Sequence, residues 1–348
     1  MPNEEREIDL EGNNTPAKSS PNPANEKTVH VDEKEQLNPQ IAALGKDMTD
    51  DEFLYAIANA PDEMLIPWEE VPIPSGGLYY EGWTNGTVRV RAMTQSVEKA
   101  FANRRLVQSG GAIDKMFNTC AELPGAMDPQ QLLIGDRTFL LYYIRGLTYG
   151  NLYKFVVTCP HCKAESSHVY DMNELYSTVI PANQQIGNEP FKVILPHLSA
   201  ISGREIWVGV RFLRQADITN IMASRRFNKR LEGNSVRAGN VRNRGRRGQA
   251  PQSGVDEQQS QADMLLDGSV EKTIVSVNGN REPALIQQIV SRLHSRDNAA
   301  IRDFLMENTP GIDTTVNVTC PECSNEAMME LPITDGFFRS AERSGTRK

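Results

Sequence analysis

Val157-Thr158-Cys159-Pro160-His161-Cys162 and Val318-Thr319-Cys320-Pro321-Glu322-Cys323 decide how this chain folds. Each is a Cys-x-x-Cys knuckle reached through an extended run. A tight turn at that spacing holds two thiolates on one side of the loop, and two such turns complete the tetrahedral four-sulfur shell that Zn2+ favours. The approach is shared too: Phe155, Val156, Val157 and Thr158 answer to Val316, Asn317, Val318 and Thr319. Cys159, Cys162, Cys320 and Cys323 are therefore the expected ligands of one structural Zn2+, where the chain closes on itself.

A redox pair is the competing reading of a single Cys-x-x-Cys. It calls for a thioredoxin-like strand and helix beside it and leaves the second copy unexplained. Four thiolates leave no open coordination position, so the expected metal is structural and not catalytic. His161 and His168 are the other residues able to replace a thiolate; His161 sits at the knuckle tip, where solvent exposure is expected. Cys120 has no partner nearby and reads as a small buried apolar residue.

At 348 residues the chain can hold one large or two ordinary domains. A net charge of −8 argues against a general nucleic-acid binder. No run reaches the roughly 18 apolar residues of a membrane span, and the polar N-terminal stretch does not read as a signal peptide. With cysteines spaced for a metal, a reducing cytosol is the expected compartment.

Residues 1–60 read as an acidic, disordered tail, too poor in apolar residues to offset its ordering entropy. Near its end, Asp50, Asp51 and Glu52 lead into a short helix at Phe53–Ala58. Residues 65–224 read as a strand-and-helix region containing the first knuckle. Val71–Tyr80 is an edge strand with two prolines and a Gly-Gly turn, and Gly86–Arg91 alternates as a half-buried strand should. Helices are expected over 95–107 from Thr94, over 112–120, over 128–133 from Asp128-Pro129, and over 135–147. In the last of these, Leu140, Tyr143, Ile144 and Leu147 recur at helical spacing and mark the core.

Ser167–Tyr170 is the return strand of the first knuckle, and Phe191–Pro196 with Glu205–Phe212 reads as a hairpin turning near Ser202-Gly203. The passages Ile73–Ala100 and Ile194–Ile221 echo each other as strand, turn, strand, helix. Residues 225–262 read as an Arg-, Gly- and Gln-rich flexible insertion in which no aromatic residue after Phe227 is interleaved among the arginines for bases to stack on. Residues 263–338 then carry helices at 264–277, 282–290 and 295–305, the last capped by Ser295 or Asp297, followed by the second knuckle and Phe337-Phe338. Residues 339–348 are a terminal tail. The expected fold is α+β: short antiparallel strand units with helical segments, closed by a zinc-ribbon-like module of two knuckles. No phosphate-binding glycine loop, nucleophile elbow or His-Glu-x-x-His is present.

Ile73-Pro74-Ser75-Gly76-Gly77-Leu78-Tyr79-Tyr80, Val88-Arg89-Val90-Arg91-Ala92-Met93-Thr94, Leu132-Leu133-Ile134-Gly135-Asp136-Arg137 and Cys159-Pro160-His161-Cys162 follow one another in an order that resembles the baseplate hub family of T-even-type contractile-tailed phages. Ser295-Arg296-Asp297, Glu307–Asp313, Cys320-Pro321-Glu322-Cys323, Leu331-Pro332-Ile333 and Phe337-Phe338 resemble the C-terminal half of its longer members. The resemblance implies a non-enzymatic structural role. Expected partners are other baseplate or hub proteins, with tape-measure or tail-tube proteins as further candidates and neither membrane nor nucleic acid among them. It implies assembly in the host cytoplasm and residence in the tail baseplate. An assembly chaperone absent from the mature particle is the main alternative. A zinc-dependent nucleic-acid binder is a weaker one, supported by the Arg-rich stretch alone. The acidic N-terminal stretch and that basic insertion depart from the family pattern.

Overall fold

The computed structural model describes residues 48–224, 270–333 and 337–338. The acidic tail before Met48, the Arg-rich insertion, the segment around Met264 and the 339–348 tail lie outside the described residues. The helix expected at Phe53–Ala58 starts earlier, at Asp50, so the end of the 1–60 tail is helical and not disordered. The Glu52 carboxylate accepts the backbone N–H of Thr49 at 3.0 Å, which anchors the first turn.

Strands β1 (Glu69–Pro72), β2 (Thr87–Val90) and β3 (Ala121–Glu122) form an antiparallel sheet in that order. Pro72 is accommodated because β1 is an edge, and the alternation of β2 turns Val88 and Val90 inward and Arg89 outward. The helix expected over 95–107 is two helices, Gln95–Ala102 and Arg104–Ser109. Asn103 divides them, since its side-chain oxygen accepts the N–H of Arg105 and starts a new helix. Gly110, at φ 81°, then reverses the chain into Gly111–Cys120. The 128–133 segment is a single 3-10 turn, Pro129–Gln131, capped by Asp128.

The central helix, Ile134–Tyr149, buries Phe139, Leu140, Tyr142, Tyr143 and Ile144. It leads into β4 (Leu152–Thr158) and β5 (Glu165–Asp171), the first knuckle hairpin. A short helix, Met172–Tyr176, and β6 (Val179–Ile180) follow. A second antiparallel sheet contains β7 (Phe191–Ile194), β8 (Trp207–Val210) and β9 (Ile274–Val277), again in sequence order.

The reading over 191–277 needs two corrections. A helix, Pro196–Ser202, and not a simple turn joins β7 to β8; Pro196 sits in its first turn and Gly203 ends it at φ 66°. Residues 274–277 are a strand and not the end of a helix, because β-branched side chains there pair against Val208–Val210. Helices Pro283–Val290 and Ser295–Asn308 come next, then β10 (Gly311–Ile312), which pairs with β6. The helix from Ser295 is capped by neither Ser295 nor Asp297. His294 caps it, its Nδ1 accepting the N–H of Arg296 at 3.2 Å. Strands β11 (Thr315–Thr319) and β12 (Glu326–Glu330) form the second knuckle hairpin.

The molecule is α+β, with two adjoining cores. The first gathers the central helix, the β1–β3 sheet, both knuckle hairpins and Phe337-Phe338. Tyr142 and Tyr153 tie its distant parts together, donating hydroxyl hydrogen bonds to the carbonyls of Leu331 (3.0 Å) and Pro332 (2.8 Å). The second core gathers the β7–β9 sheet and Ile301, so residues on both sides of the Arg-rich stretch share it. Tyr79 joins the two regions, its ring edge-on to Phe191 and Phe212.

Candidate metal centre

Each knuckle is the turn of a two-stranded hairpin. In the first, Thr158 pairs with Glu165; in the second, Thr319 pairs with Glu326. Inside each turn the cysteine N–H donates back across the loop, from Cys159 to Ala164 and from Cys320 to Asn325, both at 2.9 Å. Lys163 and Ser324 donate to the Cys159 and Cys320 carbonyls at 3.0 and 2.9 Å. Closing so tight a turn requires left-handed backbone at Lys163 (φ 63°) and Ser324 (φ 55°), a conformation that non-glycine residues adopt at a cost.

The two turns meet face to face. Cys159 Sγ lies 3.7 Å from Cys323 Sγ, and Cys162 Sγ lies 3.6 Å from Cys320 Sγ. All four sulfurs fall within 4.8 Å of one another. A disulfide needs about 2.05 Å, so neither pair is bonded, whereas a tetrahedron of metal–sulfur bonds near 2.3 Å has edges of about 3.8 Å. The four cysteines are therefore arranged to hold a metal ion. Cys159 and Cys320 are buried, while Cys162 is exposed and Cys323 half-buried.

The electrostatics fit a cation. The Cys162 N–H, together with that of His161, pulls the Cys159 thiol down to about 6, near the range where the ligating thiolate forms. At Cys162 the Ala164 N–H favours the thiolate, but partial desolvation within the cluster and the three neighbouring sulfurs outweigh it and push the thiol up to about 12. Four sulfurs this close resist shedding their last protons unless a positive ion sits among them. Neither histidine joins the cluster: His161 is exposed, and His168 Nε2 lies 2.7 Å from Ser166 Oγ. Cys120 is fully buried, and burial pushes its thiol up to about 11.

Hydropathy gave no signal for the charged groups that brace this frame. Asp136 is fully buried; it accepts the Ser75 N–H at 2.9 Å and the Tyr80 hydroxyl at 2.7 Å, and burial raises its pKa. Arg145 donates to the carbonyls of Gly150 and Leu152, fixing the chain where the central helix turns into β4. Arg211 grips Asp217 with two 2.8 Å hydrogen bonds. Among the described residues there is no second group of three or more metal-ligating side chains, and no helix is long and apolar enough to cross a membrane. Compared with family models, with curated proteins and with solved structures, the chain matches none of them.

Proposed function

We propose that this protein is a non-enzymatic structural component of a contractile phage tail baseplate or hub, held together by one structural Zn2+ in a zinc-ribbon-like module. The observation that carries the metal assignment is the convergence of four cysteines from two hairpins at sulfur spacings of 3.6 and 3.7 Å. An all-thiolate tetrahedral shell favours zinc among common divalent ions, and it leaves no position for a substrate or a reactive water. Its physical effect is a staple. Tying Cys162 to Cys320 removes much of the unfolded chain's freedom, and a structural zinc contributes on the order of 10 kcal/mol.

The assembly role rests on the family resemblance, two of whose motifs pack directly against one another. Ser75, from the Ile73–Tyr80 motif, donates to Asp136, from the Leu132–Arg137 motif, and the Tyr80 hydroxyl accepts the N–H of Leu133 at 2.8 Å. The second glycine of the first motif is required by contact as well: a Cβ on Gly77, at φ 78°, would lie 2.7 Å from the Trp83 carbonyl oxygen.

Quantitative peptide mass spectrometry of purified mature tails tests the role. A fixed copy number near a multiple of the tail symmetry is expected. Presence in infected lysate with absence from particles would replace the structural role with that of an assembly chaperone. Metal analysis of the purified chain should find one zinc per chain.

A further inference from the structure

The two halves of the chain correspond well beyond their knuckles. In the first, Asp136 stands in the first turn of the central helix and accepts the N–H of Ser75, which follows Ile73-Pro74. In the second, Asp297 stands in the first turn of Ser295–Asn308, fully buried, and accepts the N–H of His197 at 2.7 Å, which follows Leu195-Pro196. From these aspartates onward the spacing is constant at 161 residues (297 less 136, 320 less 159). Thr148 and Thr309 each donate a hydroxyl hydrogen bond to the carbonyl four residues back, Ile144 at 2.7 Å and Leu305 at 2.6 Å. The Thr158–Glu165 and Thr319–Glu326 strand pairs, the left-handed residues Lys163 and Ser324, and the cysteines all keep the same spacing.

Upstream, Val88-Arg89-Val90-Arg91 matches Val208-Gly209-Val210-Arg211, and Gln95 and Gln215 open the helices that follow. The β1–β3 and β7–β9 sheets share one strand order. In sequence, the Arg-rich stretch falls between the second and third strands of the second sheet. The first unit places Arg104–Ser109 and Gly111–Cys120 in the same interval. One unit, comprising a three-stranded sheet, a helix begun by a buried aspartate and a knuckle hairpin, accounts for both halves.

The metal centre obeys the same exchange. Replacing each cysteine by its counterpart turns the Cys159–Cys323 pair into the Cys320–Cys162 pair, and the two distances are 3.7 and 3.6 Å. Neither unit completes the site alone, since each supplies two of its four sulfurs. The inner side chains of both hairpins, Phe155 and Val157 with Val316 and Val318, are buried in one shared core.

We infer that the chain is a fused pair of one repeated unit and that the unit-to-unit face is a homotypic docking surface. The partner it fits is a second copy of the same unit, from its own chain or from another copy of this chain. The link between units raises the local concentration of the partner without altering the surfaces that meet, so constraining the link shifts pairing from within one chain to between two.

The test uses full chains. A Cys159→Ser/Cys162→Ser chain and a Cys320→Ser/Cys323→Ser chain, produced together, are expected to co-purify one to one at twice 38.8 kDa with one zinc per pair. A chain with all its cysteines but lacking residues 184–187, in the link between units, is expected to double in mass with one zinc per chain. Either swapped product supports the inference. If the mixed pair stays apart and the shortened chain stays monomeric, the inference is overturned. The mass of the shortened chain does not depend on the metal, so a wrong zinc assignment would appear separately, as a wild-type chain without zinc.

Discussion

The helices Ile134–Tyr149 and Ser295–Asn308 begin at equivalent buried aspartates and end at equivalent threonines, yet the first buries ten residues and the second three. Local design is shared; surroundings are not. Both knuckle hairpins and the Phe337-Phe338 pair pack into the core of the first helix, while the second helix rests against the β7–β9 sheet and the short Pro196–Ser202 helix and keeps an open face. Arg145 shows the consequence: it is 4% exposed and braces the start of β4, whereas its counterpart Met306 is 71% exposed. Duplicated local structure does not carry duplicated stability, because stability comes from what each face meets.

The largest expected effect bears on the element that both units share equally. Cys159→Ser and Cys320→Ser should each abolish zinc binding and remove a contribution on the order of 10 kcal/mol, enough to prevent stable folding. Zinc per chain and thermal unfolding measure this. Unequal losses would break the equivalence of the units, and one zinc retained in both variants would sink the four-cysteine site.

Sharper contrasts follow at counterpart positions. Arg145→Ala should cost about 3 kcal/mol in denaturant unfolding, since it removes the donor to two part-buried carbonyls and opens a space beside Tyr153 and Phe337. Gly135→Ala should cost about 2 kcal/mol, because the new Cβ would lie 1.9 Å from the Pro310 carbonyl oxygen, and the two backbones would have to separate. Its counterpart, Arg296, is exposed, and Arg296→Ala should change stability by less than about 0.5 kcal/mol.

A pH contrast separates Asp217 from its counterpart Val97, which is buried and apolar. Burial alone would raise the Asp217 pKa, but the Arg211 guanidinium and the Arg214 N–H prevail and hold it below the usual carboxylate value. A depressed folded pKa means that the ion pair stabilises fully above the unfolded value and is lost as pH falls through the folded one. Asp217→Asn should therefore cost about 2 kcal/mol at neutral pH, and the difference should shrink below about pH 4. The cost of Val97→Ala should not change over that range. Met306→Ala should be the smallest effect, within about 0.5 kcal/mol, despite its place opposite Arg145.

Much of this was legible in sequence where neighbours in the chain carry the signal. The knuckles are set by residues three apart, β2 by strict alternation, and the central helix by Leu140, Tyr143, Ile144 and Leu147 at helical spacing. The cap at Asn103 competes with continued helix over a single residue, and periodicity alone passes over it. Residues 274–277 are apolar enough for either helix or strand, and pairing with β8 decides between them.

By itself the sequence determined that four cysteines stand in two matched turns, that the segments between them alternate strand and helix, and that one helix is strongly apolar. Those are properties of short stretches, set by spacing and local backbone preference. Tertiary structure alone decided that the two turns meet within 4.8 Å, that Asp136 and Asp297 lie fully buried against distant N–H groups, and that both hairpins join one core. A side chain's hydropathy records that it will leave water. The group it then meets is fixed by distant segments, 61 residues away for Asp136, 100 for Asp297, and 158 and 164 for the cysteine pairs.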